Sequence, residues 1–314
     1  MPPTRGNIRV AVVGLGYFGS HHVRQYAANP AAHLVAVVDA DAPRATAVGI
    51  ANGAEGLTDH RALIGKVDAV SIAAPTSLHH TIARDLIEAG IHVFVEKPVA
   101  ATVIDAADLA TRAEKAGVTL QVGHIERFSP SYQSLSQRAR AIRNIACVRH
   151  APWKGRAADV DVVLDLMIHD IDLALALANA PVISVDAAGT RVVSSENDVV
   201  GARLTFDNGI VANLSASRVA AETERTVTVN EAGRRLRADL SAHTLTITPT
   251  DGTPETYTFG PADNLAAEIA SFLNCVATGA KPLVDGRAGL EALEVAQMIR
   301  TAVIAEQSRT GVMD

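Results

Sequence analysis

The first part of the chain alternates short, continuous apolar runs with longer amphipathic segments. Continuous apolar runs rich in β-branched residues are typical of strands that are covered on both faces. They predict strands over 8–13, 34–39, 69–74, 91–96 and 118–122, and the segments between them predict helices over 20–29, 43–51, 78–89 and 102–116. Strands that alternate with crossover helices indicate an α/β domain built on a doubly wound parallel sheet.

The pattern changes in the second part of the chain. A long apolar segment predicts a helix over 162–179, and turns at 207–209, 231–233 and 251–252 then separate pairs of strands, as in β-hairpins. Two further helices are predicted over 261–277 and 286–307. We therefore predict an N-terminal domain over 1–122 and a C-terminal α+β domain over 123–314, whose mainly antiparallel sheet packs one face on a helix.

Composition narrows the function classes. A length of 314 residues suits two domains, and the net charge of −6 provides no basic surface for nucleic acid. No apolar stretch is long enough for a membrane span, and the start of the chain does not resemble a signal peptide. Two cysteines, Cys147 and Cys275, are too few for a disulfide scaffold, so a cytoplasmic protein is expected.

A glycine motif, Gly14-Leu15-Gly16-Tyr17-Phe18-Gly19, follows the first predicted strand and opens the first helix. In this context the glycines allow a tight turn, close approach of a pyrophosphate and close helix–strand packing, so the motif predicts a dinucleotide-binding (Rossmann) domain. Asp39 ends the second strand and is suited to bind a ribose diol, which favours NAD as the cofactor. Arg44 keeps NADP open as an alternative, and a generic Gly-rich turn is the simpler one.

The sequence Glu96-Lys97-Pro98 ends another strand of the predicted parallel sheet. Because ligands of such sheets bind at the carboxyl ends of strands, we expect Lys97 to project toward the nicotinamide half of the cofactor site. An ordinary surface lysine at a strand end is the alternative.

Two polar residues stand on one face of the predicted helix 162–179. Asp165 and His169 are four residues apart, and Asp172 follows on the same face. A carboxylate one turn from an imidazole fixes its tautomer and raises its basicity, as a general base requires. An exposed ion pair or a metal site are the alternatives, but no His/Cys cluster at ligand spacing supports a metal, so none is expected.

Together these motifs resemble the glucose–fructose oxidoreductase / inositol dehydrogenase / rhizopine catabolism (Gfo/Idh/MocA) family, and the resemblance covers essentially the whole chain. A further part of the resemblance is carried by Ala74, Pro75, Thr76 and His79, which are expected to contact the cofactor, as are Tyr17 and Phe18. The resemblance implies an NAD-dependent sugar oxidoreductase with an open-faced C-terminal sheet that forms a homodimer or homotetramer.

The same resemblance implies roles for individual residues. Lys97 would polarise the reacting oxygen, His169 would be the general acid/base oriented by Asp165, and Glu96 would contact the nicotinamide ribose. The peptide bond before Pro98 would be cis.

A narrower resemblance concerns the segment 122–130 and the segment 161–172. Both look like the branch of UDP-N-acetylglucosamine 3-dehydrogenases, which act in the synthesis of diamino sugars for some lipid A. The branch usually has Asn before the proline of the first segment, where this chain has Ser129. The resemblance implies a UDP-sugar substrate.

Several residues near these segments are compatible with a UDP-sugar. Guanidinium groups bind diphosphates through paired hydrogen bonds, and an indole ring stacks on a base or sugar. The candidate substrate-binding residues, besides Asp165 and His169, are His124, Arg127, Arg149, Trp153 and Arg156, with Lys154 nearby. Solvated charges and a surface-anchoring tryptophan are the alternative.

Two other functions stay open. A myo-inositol or free-sugar dehydrogenase would use the same mechanism without a cationic cluster. A non-catalytic NAD(H)-sensing protein would keep the cofactor site alone, since fold does not determine function.

Overall fold

The computed structural model describes residues 7–155 and 159–310 and divides them into two compact units. The first unit comprises the chain up to His124 together with Asp263–Leu290. The second comprises Ile125–Ala262 together with the chain from Glu291 onward.

The first unit is built on a six-stranded parallel sheet with the strand order β3-β2-β1-β4-β5-β6. Its strands are β1 (Ile8–Val13), β2 (Ala32–Val38), β3 (Glu55–Leu57), β4 (Ala69–Ile72), β5 (His92–Glu96) and β6 (Leu120–Gly123). Its connecting helices are α1 (Tyr17–Ala28), α2 (Ala42–Asn52), α3 (Thr76–Glu88) and α4 (Val103–Ala116), with a short 3-10 helix at His60–Leu63. The predicted doubly wound sheet is confirmed, and the short β3 is an addition that its weak pattern did not indicate.

The second unit is built on an eight-stranded sheet with the order β14-β13-β12-β11-β7-β10-β9-β8. Its strands are β7 (Ile142–His150), β8 (Val182–Thr190), β9 (Val199–Phe206), β10 (Val211–Ser217), β11 (Glu224–Glu231), β12 (Arg234–Asp239), β13 (Thr244–Pro249) and β14 (Glu255–Thr258). Its helices are α5 (Pro130–Arg138), α6 (Ile168–Ala178) and most of α8 (Gly286–Thr310). Among the described strands of this second sheet, only the β7–β10 pair is parallel, so the predicted, mainly antiparallel α+β domain is confirmed.

The inward face of this second sheet carries the core of the unit. Its alternating apolar residues pack with α6 and α8 in one buried cluster that includes Ile145, Leu204, Val229, Ile171 and Ile299. Gly209 and Gly233 have positive φ values of 83° and 80° in two of the predicted hairpin turns. These turns suit glycine because it has no Cβ to clash there.

One segment differs from the predicted division of the chain. Residues 263–290, which the pattern assigned to the second domain, belong to the first unit, where α7 (Asn264–Thr278) packs on the sheet. The ring of Phe272 lies edge-to-face against Phe94 of β5, and Nε2 of Gln121 donates to the backbone oxygen of Glu268 at 3.1 Å. Periodicity shows that α7 has an apolar face, but it does not show which sheet that face covers.

Within the described ranges, no helix is long and apolar enough to cross a membrane.

Candidate active site

Three glycines shape the loop between β1 and α1. Gly14 has φ +87°, and a Cβ there would lie 2.6 Å from the backbone nitrogen of Ala74. A Cβ on Gly19 would lie 1.7 Å from the carbonyl oxygen of Gly14, whereas a Cβ on Gly16 would meet no atom within 4 Å. The first and third glycines are therefore required by the protein's own packing, and the second leaves open space beside the backbone. That is the division of roles expected of a pyrophosphate-binding loop.

The first turn of α1 is suited to an anion. The N-cap residue is Gly16, which has no side chain to accept hydrogen bonds from the N–H groups of the first turn, and no acidic residue lies in that turn. Tyr17 and Phe18 are exposed and lie edge-to-face to each other, with ring centroids 5.4 Å apart. A helix N-terminus of this kind binds phosphate through its backbone N–H groups, so the loop fits a dinucleotide.

Asp39 follows β2, where the ribose carboxylate was predicted. Its Oδ2 accepts a hydrogen bond from the backbone N–H of Leu15 at 2.8 Å, and its Oδ1 accepts from that of Asp41 at 2.9 Å. Partial burial favours the neutral acid, but these bonds and Arg44 outweigh it and hold the pKa of Asp39 below its usual value. The carboxylate is therefore charged at neutral pH and disfavours a 2′-phosphate at this position.

We expect Asp39→Ser to lower the preference for NAD over NADP by about 100-fold or more, measured as the ratio of kcat/KM values. The reason is that Arg44, which now contacts both oxygens of Asp39 at 3.3 Å, would be released toward a 2′-phosphate. Asp41→Ser is the matched control, because it removes the other carboxylate near Arg44 and keeps a residue able to cap α2. An unchanged ratio in Asp39→Ser would contradict the assignment.

His79 holds two loops together at the carboxyl edge of the parallel sheet. Its Nε2 lies 2.8 Å from the carbonyl oxygen of Ala74, and its Nδ1 lies 2.9 Å from that of Pro98. Burial lowers the pKa of His79, whereas the hydrogen bonds to the two carbonyl oxygens, which only a ring protonated on both nitrogens donates at once, act against this lowering. With 1% exposure it has no surface to offer a cofactor. The predicted cofactor contact is corrected to a bridge between the loop after β4 and the loop after β5.

Lys97 follows β5 directly and is half-buried. Its peptide bond to Pro98 is cis, as the resemblance implied. Ala74 and Pro75 lie between β4 and α3 on the same edge, Thr76 begins α3, and the backbone of Ala74 is close to Gly14. Their cofactor contacts, like that of Glu96, stay predictions, but their place at the carboxyl ends of adjacent strands is where such contacts are made.

The segment of Asp165 and His169 is not one continuous α-helix as predicted. Residues Val163–Met167 form a π-helical turn, and α6 begins at Ile168. A π turn closes hydrogen bonds five residues apart, so a spacing of four no longer places two side chains directly in line. Such turns occur frequently at functional sites. Asp165 lies within the π turn and His169 in the first turn of α6, both half-buried.

The start of this segment is fixed by Asp161. Its Oδ1 accepts from the backbone N–H of Val163 at 2.8 Å, and its Oδ2 accepts from Nδ2 of Asn197 at 3.0 Å. The backbone N–H of Val162 also donates to the carbonyl oxygen of Asn197. The π turn is thereby anchored to the loop before β9.

Arg127 and Arg149 bind protein carboxylates rather than facing solvent. Nε of Arg127 lies 2.7 Å from Oδ2 of Asp172. Arg149 is 3% exposed, with Nη1 2.8 Å from Oε1 of Glu126 and Nη2 2.8 Å from Oδ1 of Asp170. Burial raises the pKa of Asp170 even though Arg149 opposes it. Both guanidinium groups are thus held by protein carboxylates, and the predicted contacts of these arginines with a diphosphate stay predictions.

We expect Arg149→Met to lower the free energy of unfolding by about 3–5 kcal/mol, because it leaves Glu126 and Asp170 buried without their shared cation. Denaturant unfolding measures the loss. Arg143→Met, an exposed arginine on the same strand, should change stability by less than about 0.5 kcal/mol. Equal effects of the two substitutions would show that the buried ion pairs do not stabilise this unit.

The remaining predicted substrate residues differ in accessibility. Trp153 is half-buried, and the guanidinium carbon of Arg218 lies over its ring at 5.4 Å from the centroid, so one ring face is covered. His124 is 1% exposed, which leaves it out of reach of a substrate unless its surroundings move. Arg156 lies outside the described residues.

Sequence reasoning missed three buried residues of these segments: His22 on α1, which contacts Glu96, and the acids Glu126 and Asp170. The signal for the acids was present, because both sit next to predicted site residues. Among the described residues, no group of three His, Cys, Asp or Glu side chains could hold a metal ion.

Both units are similar to known proteins. Residues 8–124 match the model of an oxidoreductase family with an NAD-binding Rossmann fold, and residues 131–244 match the model of the GFO/IDH/MocA C-terminal domain. A UDP-N-acetylglucosamine 3-dehydrogenase from Acidithiobacillus ferrooxidans is 37% identical over 309 residues, which are 95% of this chain and 98% of that protein. A solved structure of the same-named enzyme from that organism superposes with a TM-score of 0.91 at 38% identity, covering 95% and 98% of the two chains. Inositol 2-dehydrogenase 1 from Saccharopolyspora erythraea is 40% identical over 136 residues, 41% of this chain and 40% of that protein.

Proposed function

The chain belongs to the Gfo/Idh/MocA oxidoreductase family, and we propose that it oxidises the 3-hydroxyl of UDP-N-acetylglucosamine to a ketone with NAD. The observation that carries the substrate is the length of the similarity together with its degree, 37% identity over 309 residues. The likeness to the UDP-N-acetylglucosamine 3-dehydrogenase extends over 95% of the chain, whereas that to the inositol dehydrogenase covers 41%. The similarity to the UDP-N-acetylglucosamine 3-dehydrogenase therefore includes the part of the second unit that would bind a substrate.

The residues of the first unit fit the cofactor, and NAD supplies the hydride acceptor. The open space at Gly16 and the N-terminal turn of α1 would bind the pyrophosphate, and the Asp39 carboxylate would accept hydrogen bonds from a ribose diol. We assign Lys97 to the stabilisation of charge on the reacting oxygen. A preorganised cation at such a position contributes several kcal/mol to a reaction of this type.

His169 would accept the proton of the sugar hydroxyl as hydride leaves the same carbon. Asp165 would orient the imidazole. The anchoring of the π turn by Asp161, and of α6 by Arg127 and Arg149, supports this assignment because a general base must be held within hydrogen-bond reach of its substrate.

Recognition of a UDP group would fall to residues other than Arg127 and Arg149, whose guanidinium groups bind protein carboxylates. Lys154 is exposed in the segment before the π turn, and Arg156 follows it in sequence. One face of Trp153 is covered by Arg218, and the opposite face is the one we assign to stacking on the base or sugar.

A homodimer or homotetramer in the cytoplasm is part of the proposal. The outward face of the second sheet carries small or polar residues at its centre, among them Asn144, Ala146, Asn213 and Ser215. The core cluster, by contrast, lies on the inward face. Cys147 and Cys275 are both free and buried, which agrees with a reducing compartment.

We expect Asn213→Arg to convert the oligomer into a species near the monomer mass of 32.8 kDa, because it places a charge at the centre of the outward face. Light scattering coupled to size exclusion measures the mass. Asp207→Arg, at an exposed hairpin turn, should keep the oligomer. A mass that is unchanged in Asn213→Arg would place the interface elsewhere.

The test of the function is NADH formation by the purified protein with NAD and UDP-N-acetylglucosamine, with myo-inositol in parallel. A ketone trap, or an aminotransferase with glutamate, should be present because the oxidation can be unfavourable. NADH from the nucleotide sugar alone supports the proposal, and NADH from inositol alone would replace it with the polyol dehydrogenase. Tight NAD binding without turnover of either would favour a cofactor-sensing protein.

A further inference from the structure

A completely buried histidine lies beside the sequence Glu96-Lys97-Pro98. His22 is on α1, three residues after the last glycine of the cofactor loop, and has no exposed surface. Its Nε2 lies 2.8 Å from Oε1 of Glu96, so the Glu96 carboxylate accepts the hydrogen bond. Its ring stands edge-to-face against Phe94, with centroids 5.0 Å apart. Nδ1 of His22 has no hydrogen-bond partner among the described residues, so the bond to Glu96 is its polar contact there.

The Glu96 carboxylate is confined on its other side as well. Glu96 is paired with Gly123 between β5 and β6, and a Cβ on Gly123 would lie 2.9 Å from Oε2 of Glu96. The glycine therefore makes room for the carboxylate, and His22 holds it from the opposite element. The side chain of Glu96 is 14% exposed, so a small part of it still faces outward.

The residues after Glu96 are held in a similar way. Lys97 is followed by Pro98, whose carbonyl oxygen is within 2.9 Å of Nδ1 of His79. Lys97 thus lies between two residues that are each bound by a buried imidazole. Buried polar pairs of this type contribute little net stability compared with apolar side chains of the same volume, so positioning is the stronger reason for the His22–Glu96 pair.

We propose that His22 is a positioning residue: by holding the Glu96 carboxylate it fixes the backbone before Lys97 and so the place of the Lys97 ammonium group. The proposal rests on the proposed function of Lys97. Displacement of a reacting group by about 1 Å reduces turnover by as much as 100-fold, which sets the size of the effect to look for.

The two ring nitrogens of His22 allow a sharp test. A glutamine amide reaches the position of Nε2, whereas an asparagine amide reaches that of Nδ1, and both are polar and similar in size to histidine. We expect His22→Gln to keep kcat within about 3-fold of wild type and His22→Asn to lower it about 10- to 100-fold with a smaller change in KM. Asparagine retaining kcat, or glutamine losing as much as asparagine, would overturn the proposal.

Two further variants separate positioning from folding. His92→Asn alters a half-buried histidine at the opposite end of β5, whose Nδ1 accepts from the backbone N–H of Thr119. It should leave kcat unchanged, because an asparagine oxygen at the position of Nδ1 still accepts this bond and the site beyond the other end of β5 is not altered. Gly123→Ala crowds the Glu96 carboxylate from the other side and should lower kcat by about 10-fold or more, so the proposal is tested even if His22→Asn fails to fold. An unchanged kcat in Gly123→Ala would count against it.

A readout without substrate distinguishes this proposal from the proposed function. The rate at which an amine-selective reagent labels Lys97, followed by mass spectrometry across pH, reports the environment of its ammonium group. The midpoint should shift in His22→Asn and not in His22→Gln or His92→Asn. If wild type oxidises neither sugar, the proposed function fails, and the labelling midpoint still decides whether His22 positions Lys97.

Discussion

Replacing His169 by Asn is expected to lower kcat by about 10³-fold while NAD binding stays within a few-fold of wild type. General acid–base catalysis contributes about 10²- to 10⁴-fold, and asparagine retains the size of the side chain without a basic nitrogen. The loss should appear in kcat and in kcat/KM alike, because the proton transfer is made in the transition state. Stopped-flow NADH formation and fluorescence titration with NADH measure the two quantities.

The control for this prediction is His243→Asn. His243 lies in the turn between β12 and β13 with φ +54°, a conformation that asparagine tolerates well. It should leave kcat unchanged. Activity of His169→Asn close to wild type would exclude His169 as the base and favour a function that needs only the cofactor site.

Lys97→Met should also lower kcat, by about 10²- to 10³-fold, through loss of charge stabilisation.

Gly19→Ala is expected to prevent stable folding of the first unit, or to destabilise it by at least about 3 kcal/mol. The added Cβ would lie 1.7 Å from the carbonyl oxygen of Gly14. Because neither a Cβ nor a backbone oxygen can move away by rotating a side chain, the β1–α1 turn has to open. NAD binding should be lost with it. Thermal unfolding and hydrogen exchange of β1 and α1 measure the effect.

Gly16→Ala provides the contrast within the same loop. Its Cβ would meet no protein atom within 4 Å, so stability should change by less than about 1 kcal/mol. NAD affinity should nevertheless fall about 10-fold or more, because the methyl group enters the space assigned to the pyrophosphate. A variant that is stable and binds NAD normally would show that the cofactor does not approach this glycine.

The contacts within the two units include partners that the sequence did not indicate. Arg127 and Arg149 were predicted as diphosphate ligands because a pattern shows the charge of a side chain and not its partner. Their partners are 21 to 45 residues away in sequence, on segments that meet only in the folded unit. His79 was expected to contact the cofactor because of the family resemblance, whereas in the structure its ring nitrogens lie within 2.9 Å of two carbonyl oxygens.

The π turn at 163–167 departs from the predicted continuous α-helix for another reason. A run of apolar residues with two polar positions four apart is equally compatible with an α-helix and with an α-helix interrupted by one wider turn. The anchoring of its first residues by Asp161 and Asn197 depends on a loop more than 30 residues later in the chain. No local pattern contains that information.

The sequence by itself determined the two sheets and the glycine loop with its cofactor. It also placed Lys97 at the end of a strand, and Asp165 and His169 in one helical segment. These follow from periodicity, turn residues and short motifs, whose physical causes act over a few neighbouring residues. Only the tertiary structure decided that 263–290 joins the first unit, that Arg127 and Arg149 form ion pairs with carboxylates of α6, and that His22 binds Glu96. Each of these depends on which buried group meets which partner across the fold. Burying a polar group without a hydrogen-bond partner is unfavourable, and its partner lies far away in the sequence, so local patterns do not reveal it.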